Sequence, residues 1–152
     1  MRPARRRRRI RAACGGGSPR AYLPAVRIRY AHAPDIDAQV RRIAETLGLA
    51  HIDGRVVCMR SAGSRARWTL ARCHALSRIM QAALGVPAHY VIEILSGPFD
   101  RLSAEEQTKT LIHELLHVPR AFGGGLKSHR YVNRRTVQKL YEAYLRRVQG
   151  RE

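Results

Sequence analysis

Residues 110–119, TLIHELLHVP, place His113, Glu114 and His117 in an otherwise apolar run that stops at Pro119. On an α-helix, residues four apart lie about 40° round from each other, so both imidazoles can face one ion. This is the spacing of a two-histidine zinc chelate. Glu114 projects about 100° from His113, outside the chelate but able to reach a water on the metal. Zinc there would lower the pKa of that water toward neutrality, and the carboxylate could take its proton as the water attacks a carbonyl carbon. The competing reading is a buried core helix whose polar groups find ordinary hydrogen bonds. Three unpartnered polar side chains on so apolar a helix would cost several kcal/mol, whereas a metal and its water would satisfy them together.

A catalytic zinc takes three protein ligands and keeps one position open. His129 lies twelve residues beyond His117, after Pro119 ends the helix and Gly123-Gly124-Gly125 lets the chain double back, and it is the preferred third ligand. Glu142 is the competitor, because a glutamate from a following helix completes the thermolysin-like site. It lies at a longer spacing and within an ordinary amphipathic pattern. A metzincin pattern fails, since HExxHxxGxxH needs Gly and His where the chain has Arg120 and Gly123. His32, His51, His74 and His89 lack such geometry and default to surface or core roles. Cys14, Cys58 and Cys73 are too few and too scattered for a disulfide framework or a zinc ribbon. Cys58 and Cys73 read as small buried residues, with a second metal site at Cys73 and His74 as the sharper alternative.

The elements that must position these groups follow from capping and periodicity. SAEE at 103–106 is a capping box, in which the Ser103 hydroxyl accepts from the Glu106 N–H and the Glu106 carboxylate reaches back. It predicts a helix from Ser103 that fails at Pro119. AHYVIEIL, 88–95, is the clearest strand, rich in β-branched and aromatic residues and bounded by Pro87 and Gly97-Pro98, with a loop between it and Ser103. Upstream, AVRIRYAHAP suits a short strand, and Asp35 caps a helix carrying Ile36, Val40, Ile43, Ala44 and Leu47 until Gly48. GRVVCMR and ARWTLARCHAL read as strands around the turn SAGSR, and SRIMQAALG as a helix with Ser77 as its cap. A last helix places Val137, Leu140, Tyr141, Tyr144, Leu145 and Val148 on one stripe, with Arg134, Arg135, Lys139, Arg146 and Arg147 on other faces.

At 152 residues and 45% hydrophobic content the chain can bury one core without cross-links. It shows neither a membrane-length apolar run nor a hydrophobic signal segment, so a cytoplasmic, membrane-free protein is expected. The net charge of +18 favours phosphate backbones, acidic proteins or anionic surfaces as partners. Eight of its 26 arginines fall in residues 1–20. Residues 1–22 are therefore expected to be a disordered arm, either a nucleic-acid-binding tail or a passive or wrongly assigned start of a GC-rich gene. The folded domain is expected over 23–150.

ALGVPAHYVIEIL followed by LIHELLHVPRAFGGGLKSHRYVNRRTV resembles a family of zinc metallopeptidases of prokaryotic and phage genomes, related to the SprT-like zincins, over about residues 55–145. The resemblance implies a compact α+β zincin domain whose strand AHYVIEIL precedes the HExxH helix. It assigns one zinc ion to His113, His117 and His129 and the catalytic carboxylate to Glu114. The chain departs from that group in lacking a CxxC ribbon and in having Arg130 where glycine is common, which weakens a role in cleaving DNA-bound proteins.

The expectation is a single α+β domain, a small sheet packed on the HExxH helix with a C-terminal amphipathic helix, acting as a zinc metalloendopeptidase on protein or peptide. Substrate would pair with an exposed edge strand, taken to be AHYVIEIL. For the oxyanion, Tyr131, Asn133 and Tyr141 stand near His129 and the spacing does not choose among them. The alternatives are a nucleic-acid-binding protein with a structural or inactive zincin domain, using the arm and the C-terminal helix, or a DNA-associated protease.

Overall fold

Pro34 and the alternation of RYAH set the entry to the fold. The structure is a computed structural model describing residues 27–52 and 54–150. The arm expected over 1–22 and the first residues of the domain expected from 23 lie outside the described residues. In chain order the elements are β1 (Arg29–His32), α1 (Pro34–Leu47), β2 (Val56–Ala62), β3 (Ala71–Ala75), α2 (Arg78–Leu84), β4 (Tyr90–Leu95), α3 (Ser96–Asp100), α4 (Ala104–His117) and α5 (Arg134–Val148). The fold is α+β: one four-stranded sheet in the order β1-β2-β4-β3, with five helices among the described residues. β2 and β4 are parallel, and β1 and β3 are antiparallel strands at the two edges.

The core forms where the periodicities meet. Tyr90, Ile92 and Ile94 alternate along β4, and with Cys58 of β2 they join Ile36, Val40 and Ile43 of α1 and Leu111, Ile112 and Leu115 of α4 in one buried cluster. Each fully buried Leu or Ile contributes about 1.5–3 kcal/mol. Helices α1, α4 and α5 pack on one another, and α4 also packs on β3. No helix among the described residues is long and apolar enough to cross a membrane.

Several expectations are corrected. AHYVIEIL is not an edge: β4 lies between β2 and β3, and four of its last five residues are buried. A near-continuous apolar run is what a strand with neighbours on both sides requires, while the edge goes to the short, polar ARCHA. ARWTLARCHAL is a strand only over Ala71–Ala75. Asp35 does not cap α1. Ala33 holds that position with Pro34 at the first helical residue, and the Asp35 carboxylate instead pairs with Arg60 at 2.7 Å. Ser77 sits at the start of α2 without a capping bond, and no residue of α2 is buried. The stretch after β4 is not all loop: α3 begins at Ser96 because a proline in the first turn forfeits no intrahelical bond. On α5, Val137 and Tyr141 are buried but Val148 is exposed. Arg147 is not merely solvated, because it donates to the Thr46 carbonyl (2.8 Å) in the last turn of α1, where that helix has no cation of its own.

Edge strand β3 is fastened on the face of the sheet opposite the core. Glu93 of β4, 5% exposed, meets His74 Nε2 at 2.8 Å and Arg72 Nη1 at 3.6 Å. Burial pushes the Glu93 carboxyl up, but the nearby Ser61 hydroxyl, the hydrogen bond to His74 and the charges of His74 and Arg72 carry it below its ordinary range.

Candidate metal centre

α4 begins as its sequence dictates. Ser103 Oγ accepts from the Glu106 N–H at 3.2 Å and the Ser103 N–H donates to Glu106 Oε2 at 3.4 Å, while Glu105 and Glu106 complement the helix dipole. Further along, Leu111, Ile112 and Leu115 are buried to 1% exposure or less, which fixes the rotation of the helix about its axis. The complementary face turns Glu106, Thr110, His113 and His117 toward a cavity of about 990 Å³, bounded on the other side by β3 and the residues leading into it.

His117 is 7% exposed, and its Nδ1 lies 2.6 Å from the Lys127 carbonyl. A carbonyl can only accept, so Nδ1 carries the proton and Nε2 presents a lone pair. The Lys127 N–H donates back to the His117 carbonyl at 2.8 Å, so the returning chain is bonded to His117 through both backbone groups of one residue. His113 Nε2 stands 3.2 Å from His117 Nε2. Two nitrogens bound tetrahedrally at 2.0–2.1 Å would be about 3.4 Å apart, so this spacing fits a shared ion. The His129 ring centroid lies 4.7 Å from that of His117 and 5.5 Å from that of His113. One ligand atom from each of the three falls within 4.8 Å of the others. Burial, then the charges of His117 and His129, hold His113 below its ordinary pKa, which keeps a lone pair free.

Glu142 is elsewhere, exposed on α5 and accepting from Gln138 Nε2 at 2.8 Å. Cys73 and His74 do not share a site: neighbours on a strand face opposite ways, and His74 goes to Glu93. Cys58 is fully buried and its thiol is pushed far up by burial; Cys73 lines the cavity, its thiol pushed up to about 12 by burial and the charge of Glu114. Glu114 is 7% exposed in the same cavity. Burial pushes its carboxyl up to about 7, against a hydrogen bond from the Cys73 backbone. The three oxyanion candidates do not line the cavity. Tyr131 is 65% exposed, the Asn133 side chain caps α5 by accepting from the Thr136 N–H at 3.1 Å, and the buried ring of Tyr141 lies under Lys109.

The glycine turn that returns His129 is pinned rather than free. Tyr90, fully buried on β4, accepts from the Gly124 N–H at 2.9 Å and donates to the Gly125 carbonyl at 3.0 Å. Sequence reasoning missed this role, although the hydroxyl of a buried tyrosine must find partners somewhere. Only Gly124 is sterically required. Its φ is 97°, and a Cβ there would collide with Gln81 Nε2 and sit 2.6 Å from the Leu76 carbonyl, whereas Gly123 and Gly125 face open space. Gly124→Ala is expected to lower stability by roughly 1–3 kcal/mol and to weaken metal retention, while Gly123→Ala does neither. Thermal melts with and without added zinc separate the two, and equal behaviour would mean that the turn does not govern His129.

Residues 28–145 match the family model described as "Putative phage metallopeptidase". The match starts earlier than the resemblance read over 55–145, taking in β1 and α1. No curated protein and no solved structure matches the chain.

Proposed function

The chain belongs to the phage metallopeptidase family, and on that premise we propose that it is a zinc-dependent endopeptidase, with the metal on His113, His117 and His129 and Glu114 as general base. The observation that carries this reading is the gathering of the three imidazoles, one nitrogen of each within 4.8 Å of the others, in a cavity that also contains Glu114. Three nitrogen ligands suit zinc. When bound, the ion supplies a polarised carbonyl and a water acidic enough to yield its proton near neutral pH.

The chain's own residues do the rest. Lys127 holds His117 in the tautomer that leaves Nε2 free. Glu114, buried in the same cavity and outside the histidine cluster, is placed to take a proton and pass it to the leaving amine. β3, rather than β4, offers the pairing edge for an extended substrate. Leu70 and Leu76 bond to β4 through Leu95 and His89, so strand alternation turns the backbone groups of Ala71, Cys73 and Ala75 outward, beside α4. The reading places the reaction in the cytoplasm.

The test is metal content beside activity. Protein purified without chelator is expected to carry one zinc per chain by mass spectrometry and to cleave an unfolded protein. Chelation should abolish cleavage and zinc should restore it. A metal-free wild type, or cleavage that survives full chelation, ends the proposal.

A further inference from the structure

The catalytic groups occupy only one part of the cavity. Leu70 is bonded to Leu95 where β4 ends, and Leu102 follows that end through α3, so Trp68, Leu70 and Leu102 fall at the end of the lining where β3 and α4 begin. Trp68 is the sole tryptophan of the chain and is 92% exposed. Tryptophan is mostly buried in folded proteins, and an exposed one on the wall of a cleft is a strong anchor for a ligand. The polar groups around it are already committed. Glu106 is held in the capping box, Lys109 pairs with Glu105 at 2.5 Å, and the Thr110 hydroxyl donates to the Glu106 carbonyl at 2.8 Å. What remains for a ligand at that end, beside the Thr69 hydroxyl, is the indole face and two leucines.

The distance to the reacting centre follows from the elements. From Glu106 to His113 the helix rises about 10 Å, and along the other wall Trp68 precedes Cys73 by a stretch that extends to about 17 Å at most. At about 3.3 Å per extended residue, this is about three to five substrate positions.

We propose that Trp68 is a specificity residue, forming with Leu70 and Leu102 a remote subsite for a large apolar side chain of an extended peptide, some three to five residues from the bond that is cut. This rests on the endopeptidase reading and narrows it: substrates must extend well to one side of the scissile bond, and their remote binding energy is spent at the reacting centre.

Because Trp68 is the only tryptophan, its fluorescence reports on this subsite alone. The probes are dodecapeptides of Gly, Ser and Ala carrying Phe at successive positions, titrated into zinc-loaded Glu114→Gln protein. A saturable blue shift is expected with Phe at the remote position and none with Ala there. In turnover, Trp68→Ala should lower the ratio of kcat/KM for long over truncated peptides by about 10- to 100-fold, the value of one buried large side chain. Trp68→Phe should recover most of it. An unchanged ratio, or an emission spectrum that saturating peptide does not move, overturns the proposal. So does a shift produced only by a thymidine oligonucleotide, since exposed Arg65 and Arg67 shortly precede Trp68 in the chain and bases stack on exposed aromatic rings. If the wild type cleaves no peptide, the endopeptidase reading fails on its own terms, and the fluorescence titration still decides whether the subsite binds.

Discussion

Glu114→Gln is expected to keep the full zinc content of the protein while losing peptide hydrolysis by roughly 10²- to 10⁴-fold, the contribution of a positioned general base. The substitution keeps the shape of the side chain and removes its ability to hold a proton. Glu114 lies outside the histidine cluster, so the ligand set remains whole. Folding should not suffer. Burial already disfavours the charged carboxylate, and a neutral amide of the same size is easier to accommodate in a site 7% exposed. The measurement is zinc stoichiometry, a thermal melt and a progress curve on an unfolded substrate with the same preparation. Full activity would remove Glu114 as the base. Lost zinc with an intact melt would make it part of the metal-holding set.

How much of this was legible depended on how local each cause was. α4 could be read almost to the residue, because Ser103, Glu106 and Pro119 act within a few positions of themselves and the leucines repeat on one helix. β4 was legible as a strand but not as an interior one, since neighbours come from β2 and β3, and the run VIEIL was the clue to a strand buried on both faces. α3 was hidden by Gly97-Pro98, which marks a turn in most contexts and the first turn of a helix in this one. Glu93 stood in the open as a charge inside an apolar strand, yet its partners His74 and Arg72 are brought to it only by the pairing of β3 with β4. The glycine turn was readable as a turn. Which glycine it needs was not, because the atoms that crowd Gly124 belong to Leu76 and Gln81, and the hydroxyl that pins it belongs to Tyr90.

The choice between His129 and Glu142 belongs to the same class of question, and it gives the second large expected effect. His129→Ala should weaken zinc binding by more than the roughly 10- to 100-fold that follows loss of a group that only orients a ligand, because one of three donors disappears. Glu142→Ala should leave affinity unchanged, since that carboxylate is exposed and engaged with Gln138. Stability reports the same difference. A ligand at about 1,000 times its Kd stabilises the native state by about 4.1 kcal/mol, which in a chain of this size raises Tm by about 8–16 °C. Wild type and Glu142→Ala should show that gap between zinc and chelator, and His129→Ala should lose most of it. The chelated proteins should melt alike, because His129 is exposed and its removal empties no core. If His129→Ala keeps the gap and Glu142→Ala loses it, the exposed histidine is a bystander, and α5 must move to bring its glutamate to the ion.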